Sequence, residues 1–292
     1  MARLRSPIWW FGGKGNMVGK ILPVLTKYPH KRYVEPFGGG ASILIAKPPV
    51  EVEIYNDLDS GLVNFFKVLA DEKQFQRFYR RVALLPYSRE LHKECLNTWQ
   101  DTDDPVEKAA RWFIIARQSF GGQWGGGWGS VVTSSRSRGM IDTCAAWLSA
   151  IEHLPQVHAR LQRVQIEHAD FRDILRRYDT PETLFYCDPP YVEGTRKAGK
   201  YSIEMTNDDH RDFVQLLLNL QGHAVVSGYA HEIYQPLEDA GWERIDFETA
   251  CHAVGRTRAT GILGKGVAKR MQPRVETLWC SPLPNLFSMG NL

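Results

Sequence analysis

Long apolar runs are absent from this chain: no stretch approaches the roughly 18 unbroken apolar residues that a membrane span requires. The basic N-terminus, MARLRSPIWWFGGK, contains only the apolar run IWWF, too short for a signal peptide. Cysteine is scarce. The five residues Cys95, Cys144, Cys187, Cys251 and Cys280 are odd in number, and no pair has CxxC spacing. That argues against a disulfide framework and against a metal site, and points to reduced thiols in a cytoplasmic protein. Charge of one sign is also lacking, since 36 basic and 33 acidic residues leave a formal +3. Such a balance neither demands nor forbids a nucleic-acid partner, so the distribution of charge decides.

What is present is an alternation of strand and helix signals, interrupted once. Lys31 to Pro36 reads as a strand, Gly38-Gly39-Gly40 as a turn, and Ala41 to Ala46 as a helix. Glu51 to Tyr55 reads as a second strand, followed by a helix that Asp59 can cap. From about Phe65 to Leu161 the periodicity is helical, with starts at Ser88 and Asp104-Pro105. Six of the nine residues from Gly121 to Gly129 are glycine, which rules out regular helix and predicts a loop or hairpin carrying Arg136 and Arg138. Strand and helix then alternate again. Strands are expected at Val164 to His168, Thr183 to Cys187, His223 to Ser227, Trp242 to Thr249 and Val275 to Trp279. Helices are expected after Asp170, from an Asn207 cap, and over His231 to Ala240. Repeated βα units predict an α/β fold with a mostly parallel sheet. The expected division is an α/β domain of 1–65 and 162–292, with 66–161 as a mostly helical inserted domain.

Two segments carry the chemistry. Glu35-Pro-Phe-Gly-Gly-Gly40 lies where a strand turns into a helix, where glycines let a ligand approach the backbone and free N–H groups are offered. The spacing is not G-x-G-x-x-G, so a dinucleotide fold is disfavoured. Asp57, about 20 positions further on, is placed for a ribose diol, and Asp59 is the better helix cap. The second segment is Asp188-Pro189-Pro190-Tyr191, directly after a buried strand. Its prolines fix the backbone. The Asp188 carboxylate and the Pro189 carbonyl are then acceptors suited to an exocyclic amine, and Tyr191 can stack on a planar base.

The order Trp10-Phe-Gly-Gly-Lys14, Glu35 to Gly40, Asn56-Asp57, and Phe185 to Tyr191 resembles the Dam-type (alpha group) adenine DNA methyltransferases. The resemblance covers nearly the whole chain, including a helical insertion between Asp57 and Asp188. It implies a Rossmann-like methyltransferase sheet with an inserted DNA-recognition domain. It also implies S-adenosylmethionine as methyl donor and adenine N6 in double-stranded DNA as acceptor. By the resemblance, Trp10, Lys14, Glu35, Phe37, Gly38, Gly40, Asp57, Asp170, Phe171 and Asp188 hold the cofactor, and Asp188, Pro189, Pro190 and Tyr191 form the catalytic tetrapeptide. The target base must leave the duplex to reach such a pocket. Open alternatives are the same chemistry on RNA adenine or on cytosine N4, and a DNA-binding protein that keeps the fold without catalysis. A monomer or weak dimer is expected, with no metal and no membrane partner.

For DNA contact, the segment Cys251 to Cys280 holds six basic residues against the single acidic Glu276. Arg256, Arg258, Lys269 and Arg270 are expected to meet phosphates. Gln123, Trp124, Trp128, Arg136 and Arg138 are the candidates for base reading in the insertion. Family members that read a short palindrome carry Asn-Gly-X-X-Arg in this hairpin, whereas here Gly121-Gly-Gln-Trp-Gly125 lacks both the asparagine and the arginine. Arginine on guanine is the commonest specific contact, so a site other than GATC, or a degenerate one, is expected.

Overall fold

The structure is a computed structural model that describes residues 3–10, 12–122, 124–130, 136–192, 203–250 and 273–283. In chain order its strands are β1 Arg32–Glu35, β2 Val52–Asn56, β3 Arg136–Ser137, β4 Met140–Ile141, β5 Val164–Glu167, β6 Thr183–Cys187, β7 His223–Gly228, β8 Glu243–Ala250 and β9 Pro273–Cys280. The helices are α1 Val18–Leu25, α2 Ser42–Ala46, α3 Ser60–Ala70, α4 Glu72–Ala83, α5 Arg89–Thr98, α6 Pro105–Gln118, α7 Asp142–Leu161, α8 Phe171–Tyr178, α9 Asn207–Leu218 and α10 Gln235–Asp239.

Seven strands form one sheet in the order β5-β2-β1-β6-β7-β9-β8. The first five are parallel, while β9 runs antiparallel to both of its neighbours. Side chains alternate across the sheet, as the two-residue period of a strand requires. Tyr33, Tyr55, Leu184, Tyr186 and Val225 belong to the core on one face, and Val34, Ile54, Phe185, Cys187 and Val226 to the core on the other. Helices α8, α9 and α10 cover the second face, and α1 to α4, α6 and α7 contribute to the core of the first. This is the α/β sheet covered on both faces that the βα alternation predicts.

The chain order leaves β1 for β2 on one side and later returns to place β6 on the other. The switch point therefore lies between β1 and β6, where ligands of open α/β sheets bind outside the carboxyl ends of the strands. The helix starts read from the sequence are capped as expected. Asp59 accepts from Gly61 and Leu62, Ser88 from Leu91, Asp104 from Val106, and Asp170 from Arg172.

Two expectations are corrected. The cap of α9 is Thr206, whose hydroxyl and Asp209 bond reciprocally, so Asn207 is already the first helical residue. His231 to Ala240 is not one helix but a 3-10 turn at Glu232–Tyr234 followed by the five-residue α10. Pro236 lies inside that segment and cannot donate the N–H a continuous helix would need.

The expected boundary at residues 65/66 falls inside α3. One continuous apolar cluster joins Tyr33, Tyr55 and Leu184 of the sheet to Phe65, Trp112, Phe113 and Trp147 around the insertion. The glycine-rich stretch is a loop, closed by the Phe120 N–H on Gly127 O at 2.7 Å and the Gly129 N–H on Gln118 O at 2.7 Å. Beyond it, β3 and β4 form a small hairpin turning at Arg138 (φ 54°) and Gly139 (φ 74°).

Candidate active site

At the carboxyl ends of β1 and β6 opens a cavity. All ten residues expected to hold a cofactor line it. Trp10 and Lys14 come from the N-terminal segment, and Glu35, Phe37, Gly38 and Gly40 from the loop after β1. Asp57 follows β2, Asp170 and Phe171 follow β5, and Asp188 follows β6. Pro190 also lines the cavity, and Pro189 and Tyr191 are buried beside it.

Three loops are stapled together by one amide that the sequence marks only as the neighbour of Asp57. Asn56 is 1% exposed. Its Nδ2 donates to Pro36 O at 2.8 Å and to Ala169 O at 3.0 Å, and its Oδ1 accepts from the Ala169 N–H at 2.9 Å. The ends of β1, β2 and β5 are thereby fixed relative to one another. The glycine turn rests on the same frame. Tyr55 donates its hydroxyl to Gly39 O at 2.8 Å, and the Gly38 N–H donates to Asn56 O at 2.7 Å.

Asp57 is less free than its position after a strand suggests. Its Oδ2 accepts from the Gly39 N–H at 2.8 Å and its Oδ1 from the Asp59 N–H at 2.9 Å. Burial pushes its carboxyl up to about 6, against the pull of these backbone donors. A carboxylate has about four lone-pair sites, so two donors leave capacity for a diol. Phe171 is packed against Phe37 and Phe213 at ring-centroid distances of 5.2 and 5.6 Å. At the mouth, Arg172 reaches Asp209 at 2.6 Å and Asp170 at 3.3 Å.

Glu35 is 2% exposed and accepts the Tyr33 hydroxyl at 2.8 Å. Burial pushes its carboxyl from 4.5 up to about 8, against that hydrogen bond. The folded protein therefore holds a proton here that the unfolded chain releases. Stability drawn from neutral Glu35 is present below pH 4.5 and lost as pH rises through about 8. Glu35→Gln is expected to raise the melting temperature relative to wild type by roughly 5 °C or more at pH 9, with little change near pH 5. Thermal scans at both pH values check this, and a difference that does not depend on pH would show that ionisation is not the cause.

The tetrapeptide carboxylate is clamped. Lys14 Nζ lies 2.6 Å from Asp188 Oδ1 and 2.8 Å from Oδ2, and Ser227 donates to Oδ1 at 2.8 Å. Lys14 is 6% exposed, and Asp188 retains 18%. Burial pushes the Asp188 carboxyl above the usual carboxylate range, while the Lys14 ammonium holds it down. Lys14, expected in the cofactor group, thus lines the cavity and also binds the tetrapeptide carboxylate. Tyr191 is 6% exposed. Its ring meets Tyr229 edge-on at 4.5 Å, and its hydroxyl donates to Glu276. Ser227, Tyr229 and Glu276 were missed by sequence reasoning, because nothing local to β7 or β9 marks them.

Of the residues expected to read DNA, Trp124, Trp128, Arg136 and Arg138 are among the described residues. Arg136 is exposed on the β3 hairpin. Arg138 is paired with Glu152 at 2.8 Å. Trp124 and Trp128, candidates for base reading, are packed against other aromatic rings. Trp124 stacks on Trp112 at 6.1 Å and meets Trp99 at 5.2 Å, while Trp128 lies against Tyr87 at 5.2 Å and beneath Arg89. A glycine loop has little side-chain mass of its own, so its tryptophans supply its packing. Gln123, Arg256, Arg258, Lys269 and Arg270 lie outside the described residues.

The D12 class N6 adenine-specific DNA methyltransferases match residues 10–114 and 138–242. The chain belongs to this family. Three relatives show how far the likeness extends. A DNA N-6-adenine-methyltransferase of Escherichia phage P1 is 23% identical over 78% of this chain. A DNA adenine methylase of Vibrio cholerae is 21% identical over 66% of the chain and 67% of its own length. The type II methyltransferase M.MjaIII of Methanocaldococcus jannaschii is 23% identical over 68% and 74% respectively. The chain spans about a third (31%) of the length of the phage relative. In this D12-class chain the two matched segments bracket the glycine loop, and together they contain every cavity residue named above. Among the described residues no helix is long and apolar enough to cross a membrane, and no cluster of His, Cys, Asp and Glu could hold a metal ion.

Proposed function

We propose that this chain transfers the methyl group of S-adenosylmethionine to N6 of an adenine in double-stranded DNA, in the cytoplasm. The observation that carries the reading is the placement of the Asp188 carboxylate, clamped by Lys14 and Ser227, in the same cavity as the glycine turn and Asp57.

The cavity fits the cofactor on its own terms. A Cβ at Gly39 or Gly40 would come to 3.0 Å from Trp10, so the glycines let Trp10 close against the turn that lines the cavity. Asp57 supplies acceptor capacity for a diol, and Phe37 and Phe171 an apolar wall. When bound, S-adenosylmethionine supplies an electrophilic methyl on a sulfonium.

The protein's part is binding, orientation and charge. Lys14 and Ser227 occupy up to three of the roughly four lone-pair sites of Asp188. The remaining site, together with the rigid Pro189 carbonyl, accepts the two N6–H groups and favours an amine whose lone pair is free. Positive charge building on that nitrogen is offset by the carboxylate. Positioning supplies much of the remaining acceleration. Asp188 lies within the cavity with 18% of its side chain exposed, so the adenine is flipped out to reach it. Residues 66–161, with Arg136 exposed on the β3 hairpin, and the basic segment bearing Arg256, Arg258, Lys269 and Arg270 provide the duplex contacts.

The test is methyl transfer from labelled S-adenosylmethionine to unmethylated duplex DNA, single-stranded DNA and RNA of one sequence. Label is expected on duplex DNA, at least tenfold above RNA. Preferential labelling of RNA would overturn the substrate assignment.

A further inference from the structure

The antiparallel entry of β9 has a consequence at the site. Because β9 runs against β7, with Gly228 opposite Thr277, its N-terminal part lies where β1, β6 and β7 have their carboxyl ends. That register brings Glu276 beside Lys14 and Tyr191. The Glu276 side chain is 9% exposed, and its Oε1 is 3.3 Å from Lys14 Nζ. The same carboxylate accepts the Tyr191 hydroxyl. Lys14 closes the loop, with its ammonium 4.9 Å from the Tyr191 ring centroid and bound to Asp188 at 2.6 Å.

A buried carboxylate is costly unless paired, and here one ammonium serves two carboxylates. Lys14 alone on Asp188 would make a neutral pair, a weaker acceptor for an amine. A second carboxylate on the same ammonium leaves one net negative charge among the three groups, of the sign that a nitrogen turning cationic requires.

We propose that Glu276 is a positioning residue for the transfer step: it fixes Lys14 and the Tyr191 hydroxyl, and through Lys14 it keeps the Asp188 carboxylate oriented and electron-rich. The inference rests on the functional reading above and adds to it a residue 88 positions from Asp188 in sequence.

Glu276→Gln can still accept the Tyr191 hydroxyl but no longer offers Lys14 a charge. At saturating DNA and S-adenosylmethionine, its single-turnover rate is expected to fall about 10- to 100-fold. The Kd values for cofactor and DNA should stay within about threefold, which a merely structural defect would not spare. Adding Glu276→Gln to Lys14→Met should cost less than about threefold further, because the two act as one unit. A single variant within about threefold of wild type, or losses that multiply in the double variant, overturns the inference. If Glu276→Gln fails to fold, Glu276→Asp is decisive, because it keeps the charge but withdraws it by one methylene. It is expected to be about three- to tenfold slower at unchanged Kd, and a wild-type rate overturns the inference. A wild-type protein that methylates no DNA sinks the functional reading itself, whereas an active wild type with an unimpaired Glu276→Gln sinks this inference alone.

Discussion

Asp188→Ala is expected to leave the fold intact while lowering single-turnover methyl transfer at least 100-fold. The fold should survive because Lys14, although 6% exposed, keeps Glu276 as a partner 3.3 Å away when Asp188 is removed. A buried ammonium with no partner would instead be strongly destabilising. The rate should collapse because the substitution removes the acceptor that orients the amine and the charge that offsets its developing cation. Losing one such preorganised partner commonly costs about 100- to 1000-fold. Single-turnover kinetics with a parallel thermal scan check both halves. A folded variant retaining more than about a tenth of the wild-type rate would contradict the role assigned to Asp188.

Gly38→Ala is expected to abolish cofactor binding, with Kd raised on the order of 100-fold or more, although the site loses no polar group. A Cβ at Gly38 would lie 2.2 Å from Tyr55 Cε2 and 2.4 Å from its Cδ2. The ring has no room to retreat. Tyr55 is fully buried, packs on Phe66 at a centroid distance of 4.8 Å, and holds Gly39 O through its hydroxyl. The turn must therefore move, and with it the Gly39 N–H that Asp57 accepts. Overpacking of this kind also costs about 1–3 kcal/mol of stability. Gly19→Ala is the control: it lies in α1, its Cβ would meet nothing within 4 Å, and alanine there should stabilise by up to about 1 kcal/mol. Isothermal titration of both variants with S-adenosylmethionine decides the matter. Equal affinity for the two would show that the turn does not cradle the ligand.

The parts of this site that were legible in the sequence are those that local chemistry marks. Thr183 to Cys187 is an apolar β-rich run that stops at a carboxylate and two prolines, and β6 has those bounds. Asp59 and Asp170 cap helices because a short acidic side chain two or three residues ahead of an apolar stripe has few other uses. Cavity residues at strand ends follow once the strands are parallel, because every parallel strand presents its carboxyl end to the same edge.

What was not legible depends on pairings across long stretches of chain. Lys14 and Asp188 are 174 positions apart, and nothing near Lys14 distinguishes a lysine aimed at a ligand from one aimed at a carboxylate. Glu276 reads as a lone acid in a basic segment until the antiparallel register of β9 is known. The packing of Trp124 and Trp128 on Trp99, Trp112 and Tyr87 likewise joins distant positions, and the glycines around them mark no partner. The split of His231 to Ala240 is in principle readable from Pro236, which cannot donate an N–H to a continuous helix.

The central claim is that one carboxylate, at the end of β6, directs a methyl group to the exocyclic nitrogen of adenine. The most direct measurement is mass spectrometry of nucleosides from unmethylated duplex DNA after incubation with isotopically labelled S-adenosylmethionine, with wild type and Asp188→Ala side by side. The account predicts labelled N6-methyladenine from the wild type and at least 100-fold less from the variant. Label on cytosine N4, or equal N6-methyladenine from both proteins, would contradict it.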